Sequence, residues 1–212
     1  MNVIAVKNVV KKWGNNTVLN SVSLEVDSSE IVGIIGHNGS GKTVLMKCIC
    51  GFITPDSGEI TVSGKFLGRD IDIPKNIGLI IETPGFLPNF SGLSNLLQLA
   101  KIRSKLTKEE VRSVMTKVGL DPDEKKHVGK YSLGMRQRLG IAQAIMENPD
   151  ILILDEPMNG LDKSGVEDMR KLFLALKNDG KAIIIASHNS VDIDVLCDRV
   201  FEITNGVLKQ VR

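Results

Sequence analysis

No stretch of this chain approaches the ~20 consecutive apolar residues needed to cross a bilayer; the longest apolar runs, such as Ile151-Leu152-Ile153-Leu154, are the length of a buried strand. A chain of this kind does not cross a membrane by itself. The first residues carry no basic start followed by an apolar core and a small-residue cleavage site, so Val3 to Val10 reads as a strand, not a secretion signal, and the expected compartment is the cytosol. Cysteine is sparse: Cys48, Cys50 and Cys197 are odd in number, lack metal-ligand spacing and sit among apolar neighbours. That pattern excludes a disulfide framework and a zinc site, and predicts buried reduced thiols. Charge of either sign is also not in excess, with 27 basic against 25 acidic residues and a formal net charge of +2. Without an overall field, nucleic acid is not an expected partner. The locally basic stretch Lys101 to Lys117 is interrupted by Glu109 and Glu110 and reads as a solvated helix face. Internal repeats and low-complexity segments are lacking as well.

A length of 212 residues suits one compact α/β domain with room for a small subdomain. Strand-sized apolar runs recur at Ile31 to Ile35, Ile77 to Ile81, Ile151 to Asp155 and Ala182 to Ala186, separated by helical patterns, as a mostly parallel sheet covered by helices requires. Ser21 to Val26 and Gly58 to Gly64 alternate polar and apolar residues, which predicts an antiparallel β region appended near the N-terminus. Asn205-Gly206, between the runs Arg199 to Ile203 and Val207 to Gln210, is a hairpin-turn signal. Between Pro84 and Pro149 strand signals disappear and three helical patterns follow a turn-rich segment, which predicts an inserted helical subdomain. The expected division is therefore an α/β core over about 1–83 and 150–212, with the helical insertion over about 84–149.

The run Gly36-His37-Asn38-Gly39-Ser40-Gly41-Lys42-Thr43 fits G-x-x-x-x-G-K-[ST], the loop that cradles nucleotide phosphates. Its glycines let the backbone wrap an anion closely, so that successive N–H groups point inward, and the helix that follows adds its positive end. Lys42 is placed to reach the β- and γ-phosphates, and the Thr43 hydroxyl to ligate magnesium. His37 takes a variable position inside this loop and is expected to face solvent. The second element is Ile151 to Pro157, where four apolar residues end in Asp155 and Glu156. Carboxylates at the C-terminal end of a parallel strand lie where α/β proteins place ligand chemistry. Asp155 suits the magnesium or its waters, and Glu156 suits the water that attacks the γ-phosphate.

The third element, Tyr131-Ser132-Leu133-Gly134-Met135-Arg136-Gln137-Arg138, opens a helix with serine and glycine. Here the chain resembles the ATP-binding subunits of ABC transporters, a likeness that runs over nearly all its length. The resemblance implies that ATP and Mg2+ are bound, that ATP is hydrolysed, and that two such chains close around two ATP molecules while attached to integral membrane permease subunits on the cytoplasmic face. The second chain is either an identical copy or a related ATPase subunit. In that family the signature helix meets ATP held by the opposite subunit; Ser132 and Gly134 keep the serine and second glycine of the usual motif, while Leu133 and Met135 depart from it. By the same resemblance Trp13 stacks on adenine, although a lone tryptophan in a surface loop is the alternative. Asp162, in Asn159-Gly160-Leu161-Asp162, is expected at the dimer seam, and His188, after a core strand, at the γ-phosphate.

Glu82 stands where most of the family has glutamine, a position that touches magnesium and the attacking water and leads into the segment facing the membrane partner. Together with the Tyr-Ser-Leu-Gly-Met signature, it is similar to the bacitracin and lantibiotic group, which implies export of peptide antibiotics, immunity or resistance to them. The turn-rich Phe86 to Phe90 either receives the membrane partner or caps the helical subdomain's own core. The alternative function is a soluble ABC-type ATPase switch acting without transport. A small-molecule kinase with the same phosphate loop is disfavoured by the signature helix and by His188.

Overall fold

The computed structural model describes residues 2–103 and 106–212. In chain order, β1 (Asn2–Trp13) and β2 (Asn16–Asp27) form a long hairpin, β3 (Ile31–Ile35) leads into α1 (Lys42–Ile49), and β4 (Ser57–Val62) and β5 (Lys65–Phe66) follow. β6 (Ile77–Ile80) precedes three helices, α2 (Gly92–Arg103), α3 (Lys108–Lys117) and α4 (Leu133–Ile145), with a 3-10 turn at Val128–Lys130 before the last. Then come β7 (Ile151–Asp155), α5 (Lys163–Asn178), β8 (Ala182–Ala186), α6 (Ser190–Leu196), β9 (Arg199–Thr204) and β10 (Val207–Gln210).

These strands make two sheets. The first is antiparallel, in the order β2-β1-β4-β5; the second is six-stranded, in the order β10-β9-β3-β8-β7-β6. β9, β3, β8, β7 and β6 run parallel, and only β10 is antiparallel, joined to β9 through Asn205 and Gly206. Both of those turn residues have positive φ, 50° and 75°, the backbone that a two-residue hairpin demands. The α/β core with an appended antiparallel region and a helical insertion is as the patterning predicts.

The parallel sheet divides two apolar cores because successive side chains along a strand point to opposite faces. Ile151 and Ile153 face one core, shared with α1 and the antiparallel sheet; Leu152 and Leu154 face the other, shared with α2 to α5. Every one of these four is buried to 1% exposure or less, and burial of each contributes roughly 1.5–3 kcal/mol. The helical insertion is tied to the second core through Leu96, Val111, Met115 and Leu139. In α3, Val111 and Met115 are four residues apart on one face, and Thr107 closes a reciprocal cap with Glu110.

One expectation changes and one alternative falls away. The basic stretch Lys101 to Lys117 is not one helix face: α2 ends at Arg103 and α3 starts at Lys108, while Ser104 and Lys105 lie outside the described residues. Trp13 is not in a loose surface loop but ends β1, paired with Asn16 across the hairpin. The three cysteines are free, with Cys48 and Cys50 buried and Cys197 half-buried. Burial pushes the Cys48 thiol up to about 11 and those of Cys50 and Cys197 up to about 12. Among the described residues, no helix is long and apolar enough to cross a membrane.

Candidate active site

The parallel register brings distant motifs to one edge. β3, β6, β7 and β8 share a direction, so their C-terminal ends deliver the loop 36–43, Glu82, Asp155-Glu156 and His188 to the same side of the sheet. A cleft of about 690 Å³ opens there, lined by Trp13, Asn38, Gly39, Gly41, Lys42, Thr43, Glu82, Asp155 and Glu156 among others. Gly36, His37 and His188 line a second cavity of about 440 Å³ with Ser187.

The loop is shaped by its glycines and held by its lysine. Gly41 has φ 112°, and a Cβ on it would lie 2.9 Å from the Val18 carbonyl oxygen, so a larger residue strains both backbone and packing. Lys42 is 7% exposed, and its Nζ donates to the carbonyls of Gly36 at 2.7 Å and His37 at 3.2 Å, which holds the ammonium inside the loop's curve. Ser40 Oγ, buried beneath the loop, is the one buried side-chain polar atom without a hydrogen-bond partner among the described residues. His37 is exposed, its ring Nδ1 2.9 Å from the Asn38 carbonyl oxygen. α1 begins at Lys42, so its unpaired N–H groups and positive end face the loop's interior.

Three carboxylates border the cleft, and each has its own donor. Thr43 Oγ1 donates to Asp155 Oδ2 at 2.7 Å, across a separation of 112 residues. His188 Nδ1 lies 2.9 Å from Glu156 Oε2. Lys47 Nζ pairs with Glu82 Oε1 at 2.5 Å. The hydroxyl and carboxylate of Thr43 and Asp155 are hard oxygen donors on adjacent elements, which fits a small divalent cation that retains most of its waters. Glu82 and Glu156 both have left-handed backbones, φ 63° and 50°, a conformation costing roughly 1–3 kcal/mol for a non-glycine residue. Glu156 is held in it from three sides: its N–H donates to the Ala186 carbonyl at 2.9 Å, and its carbonyl accepts from Asn159 N–H at 3.1 Å and from Gln137 Nε2 at 3.2 Å.

The signature residues divide. Leu133 is 61% exposed and borders the cleft of its own chain, whereas Ser132, Gly134, Met135 and Asp162 line neither cavity. Ser132 caps α4 by accepting from Met135 N–H at 3.2 Å, and Met135 turns its side chain into the helical core. Gly134 packs on the loop after β7: a Cβ there would lie 3.0 Å from the Gly160 carbonyl oxygen. Asp162 caps α5, and the Gly165 backbone N–H it accepts from holds its carboxyl below the usual carboxylate range. The start of α4 and the loop 159–162 thus form one joined surface at the cleft's border, with Leu133 and Asn159 lining the cleft and Ser132, Gly134 and Asp162 beside it.

Several lining residues carry no motif of their own. Gln137 donates to the carbonyls of Glu156 and Pro157, the latter at 2.8 Å, and so links α4 to the end of β7. Lys47 does not line the cleft itself but holds Glu82, which does, and it is legible only through helix geometry, since it follows Thr43 by four residues and shares its face. Asn16 and Val18 reach the cleft from the hairpin, which no local pattern indicates.

Residues 19–159 match the ABC transporter family. This chain belongs to it. It is 43% identical over 98% of its length to an uncharacterized ABC transporter ATP-binding protein, YybJ of Bacillus subtilis (strain 168), and spans 95% of that relative. It is 40% identical over 97% of its length to the bacitracin transport ATP-binding protein BcrA of Enterococcus faecalis, of which it spans 68%. Among solved structures, an ATP-binding subunit of an ABC transporter superposes with a TM-score of 0.86 at 26% identity, covering 99% of this chain and 90% of that one. As an ABC cassette the chain is an ATP-binding subunit and an ATPase that works with ATP and magnesium.

Proposed function

We propose that this ABC ATPase powers membrane permease subunits that export, or protect against, peptide antibiotics of the bacitracin and lantibiotic type. The observation that carries the mechanistic part is the division of the site: Asn38, Gly39 and Gly41 to Thr43 of the phosphate loop share one cleft with Asp155, Glu156 and Glu82, while Ser132, Gly134 and Asp162 of the same chain lie outside it. A second chain supplies the outer set, so that two chains close over two ATP molecules. The second chain is another copy of this protein or a related ATPase subunit. The peptide-antibiotic part is supported by the 40% identity to BcrA and by Glu82 with the Tyr-Ser-Leu-Gly-Met signature.

Within one site the backbone N–H groups of residues 36–43 and the start of α1 receive the phosphates, and Trp13, 50% exposed at the cleft's rim, stacks on the adenine. Thr43 and Asp155 hold magnesium, which when bound offsets charge on the β- and γ-phosphates. Glu156 orients the attacking water and accepts its proton as the new P–O bond forms and the bond to the β-phosphate oxygen breaks. His188 holds the Glu156 carboxylate and contacts the γ-phosphate. Ser132 and Gly134 from the second chain meet that phosphate at a helix N-terminus, contacts made only when the pair is closed.

The segment 86–90 does two jobs. Phe86 packs on the helical core, and Asn95 ties the Leu87 backbone in place by accepting from its N–H at 2.8 Å and donating to its carbonyl at 3.1 Å. Leu87 and Phe90 remain exposed, and this rigid apolar pair faces the permease at the cytoplasmic side of the membrane. The test is a strain lacking this chain, complemented with wild type or Lys42→Ala. Wild type alone restores tolerance to bacitracin or a lantibiotic, and the chain co-purifies with a multi-span protein. Equal tolerance in both strains together with no membrane protein in the purified complex refutes transport and favours a soluble ATPase switch.

A further inference from the structure

Thr43 and Lys47 are four residues apart on α1, one helical turn, and so project from the same face. Each engages a carboxylate from a different strand end: Thr43 takes Asp155 after β7, and Lys47 takes Glu82 after β6. One helix face therefore sets the spacing between two acidic groups that the sheet alone leaves free. Of the cations lining the cleft, Lys42 is engaged by the carbonyls of Gly36 and His37, and Arg136 donates to the Gly129 carbonyl at 3.3 Å. Neither is the partner of Glu82, whose side chain is 65% exposed and held at its tip by Lys47.

We propose that Lys47 is a positioning residue which holds the Glu82 carboxylate on the α1 side of the cleft, apart from the Thr43–Asp155 pair, and thereby sets the magnesium requirement of the ATPase. The inference rests on the reading that Glu82 borders the magnesium site. Without Lys47, Glu82 is free to turn toward Asp155 and Glu156. The Glu82 carboxylate, no longer balanced by an ammonium, adds its charge to those of Asp155 and Glu156, attracts the divalent cation more strongly and repels the triphosphate.

The experiment is a double-mutant cycle on the purified protein, measuring ATPase rate against magnesium concentration and against ATP, and equilibrium binding of a non-hydrolysable ATP analogue against magnesium concentration, for wild type, Lys47→Met, Glu82→Gln and the double variant. Lys47→Met is expected to lower the magnesium concentration for half-maximal rate and to raise KM for ATP, each by about three- to tenfold. Lys47→Arg, which keeps charge and reach, restores both. In the Glu82→Gln background the same lysine substitution changes either value by less than about twofold, the non-additivity expected of groups in contact. Equal shifts in both backgrounds mean that Lys47 acts as a bare charge or through stability, and overturn the inference while leaving the reading of Glu82 intact. Wild-type magnesium dependence in Glu82→Gln overturns that reading and the inference with it. Melting temperatures of all variants identify a Lys47 substitution that merely unfolds the protein, and in that case Lys47→Gln, of similar length and without charge, replaces Lys47→Met in the cycle.

Discussion

His188 Nδ1 lies 2.9 Å from Glu156 Oε2, so the residue that follows β8 grips the carboxylate that follows β7. The two strands are neighbours in the sheet, and Asp155 pairs with Ala186 at their ends, which puts the histidine beside Glu156 without any sequence proximity. Glu156 is thereby held at both backbone and side chain, which suits the role proposed for it of orienting a water.

Glu156→Gln keeps the side chain's shape but removes the carboxylate that is proposed to accept the water's proton. Turnover should fall by roughly 10² to 10⁴ while ATP binding persists, and the protein should accumulate as an ATP-bound dimer. His188→Ala, which leaves the base but frees its carboxylate, should cost less than Glu156→Gln. Single-turnover hydrolysis and size measurement with ATP check both, and wild-type turnover in Glu156→Gln would reject the residue's role.

Because Ser132, Gly134 and Asp162 lie outside the cleft of their own chain, hydrolysis should depend on protein concentration. Specific activity is expected to fall as the protein is diluted into the monomeric range. Mixing inactive Lys42→Ala with inactive Ser132→Ala should recover activity, since a mixed dimer has one intact site. Constant specific activity in a verified monomer contradicts a site completed by a second chain.

Glu82 lines the cleft and lies a few residues before the exposed Leu87 and Phe90, and in the proposed function it borders the magnesium site. Glu82→Gln is expected to leave ATP affinity within about threefold, because the phosphate loop is untouched, and to alter stimulation of hydrolysis by the permease. Basal ATPase, permease-stimulated ATPase and antibiotic tolerance are to be measured on the same variant in the full complex. If all three equal wild type, the glutamate has no coupling role; if only ATP binding collapses, it is a nucleotide ligand.

With thiols pushed up to about 11 for Cys48 and about 12 for Cys50 and Cys197, little thiolate forms near neutral pH in the folded protein. Iodoacetamide at pH 8 should modify the native chain far more slowly than the denatured one, which should take three labels. Rapid native labelling at Cys48 or Cys50 would show that α1 opens readily.

The phosphate loop, Asp155-Glu156 and the start of α4 were legible because each is local: backbone shape, strand end and helix cap lie within a few consecutive residues. The antiparallel hairpin was readable only in part, since alternation marks Ser21 to Val26 but not the full reach of the twelve-residue β1 to Trp13. The roles of Lys47 and Gln137 are not legible in the sequence for another reason. Gln137 lies in the run Tyr131 to Arg138 and Lys47 in the helix after the phosphate loop, but each acts through a partner that lies far away along the chain, Glu156 at 19 residues and Glu82 at 35.

The sequence by itself determined the chemistry: which loop wraps an anion, which carboxylates end strands, and which histidine follows a core strand. Only the tertiary structure decided which of those groups share a cleft. The order β3-β8-β7-β6 places the strand bearing His188 between those bearing the phosphate loop and Glu156, while α4 caps itself with Ser132 on the surface beside the cleft. Strand order arises from packing two faces of a sheet against two cores, a non-local choice that no run of neighbouring residues encodes.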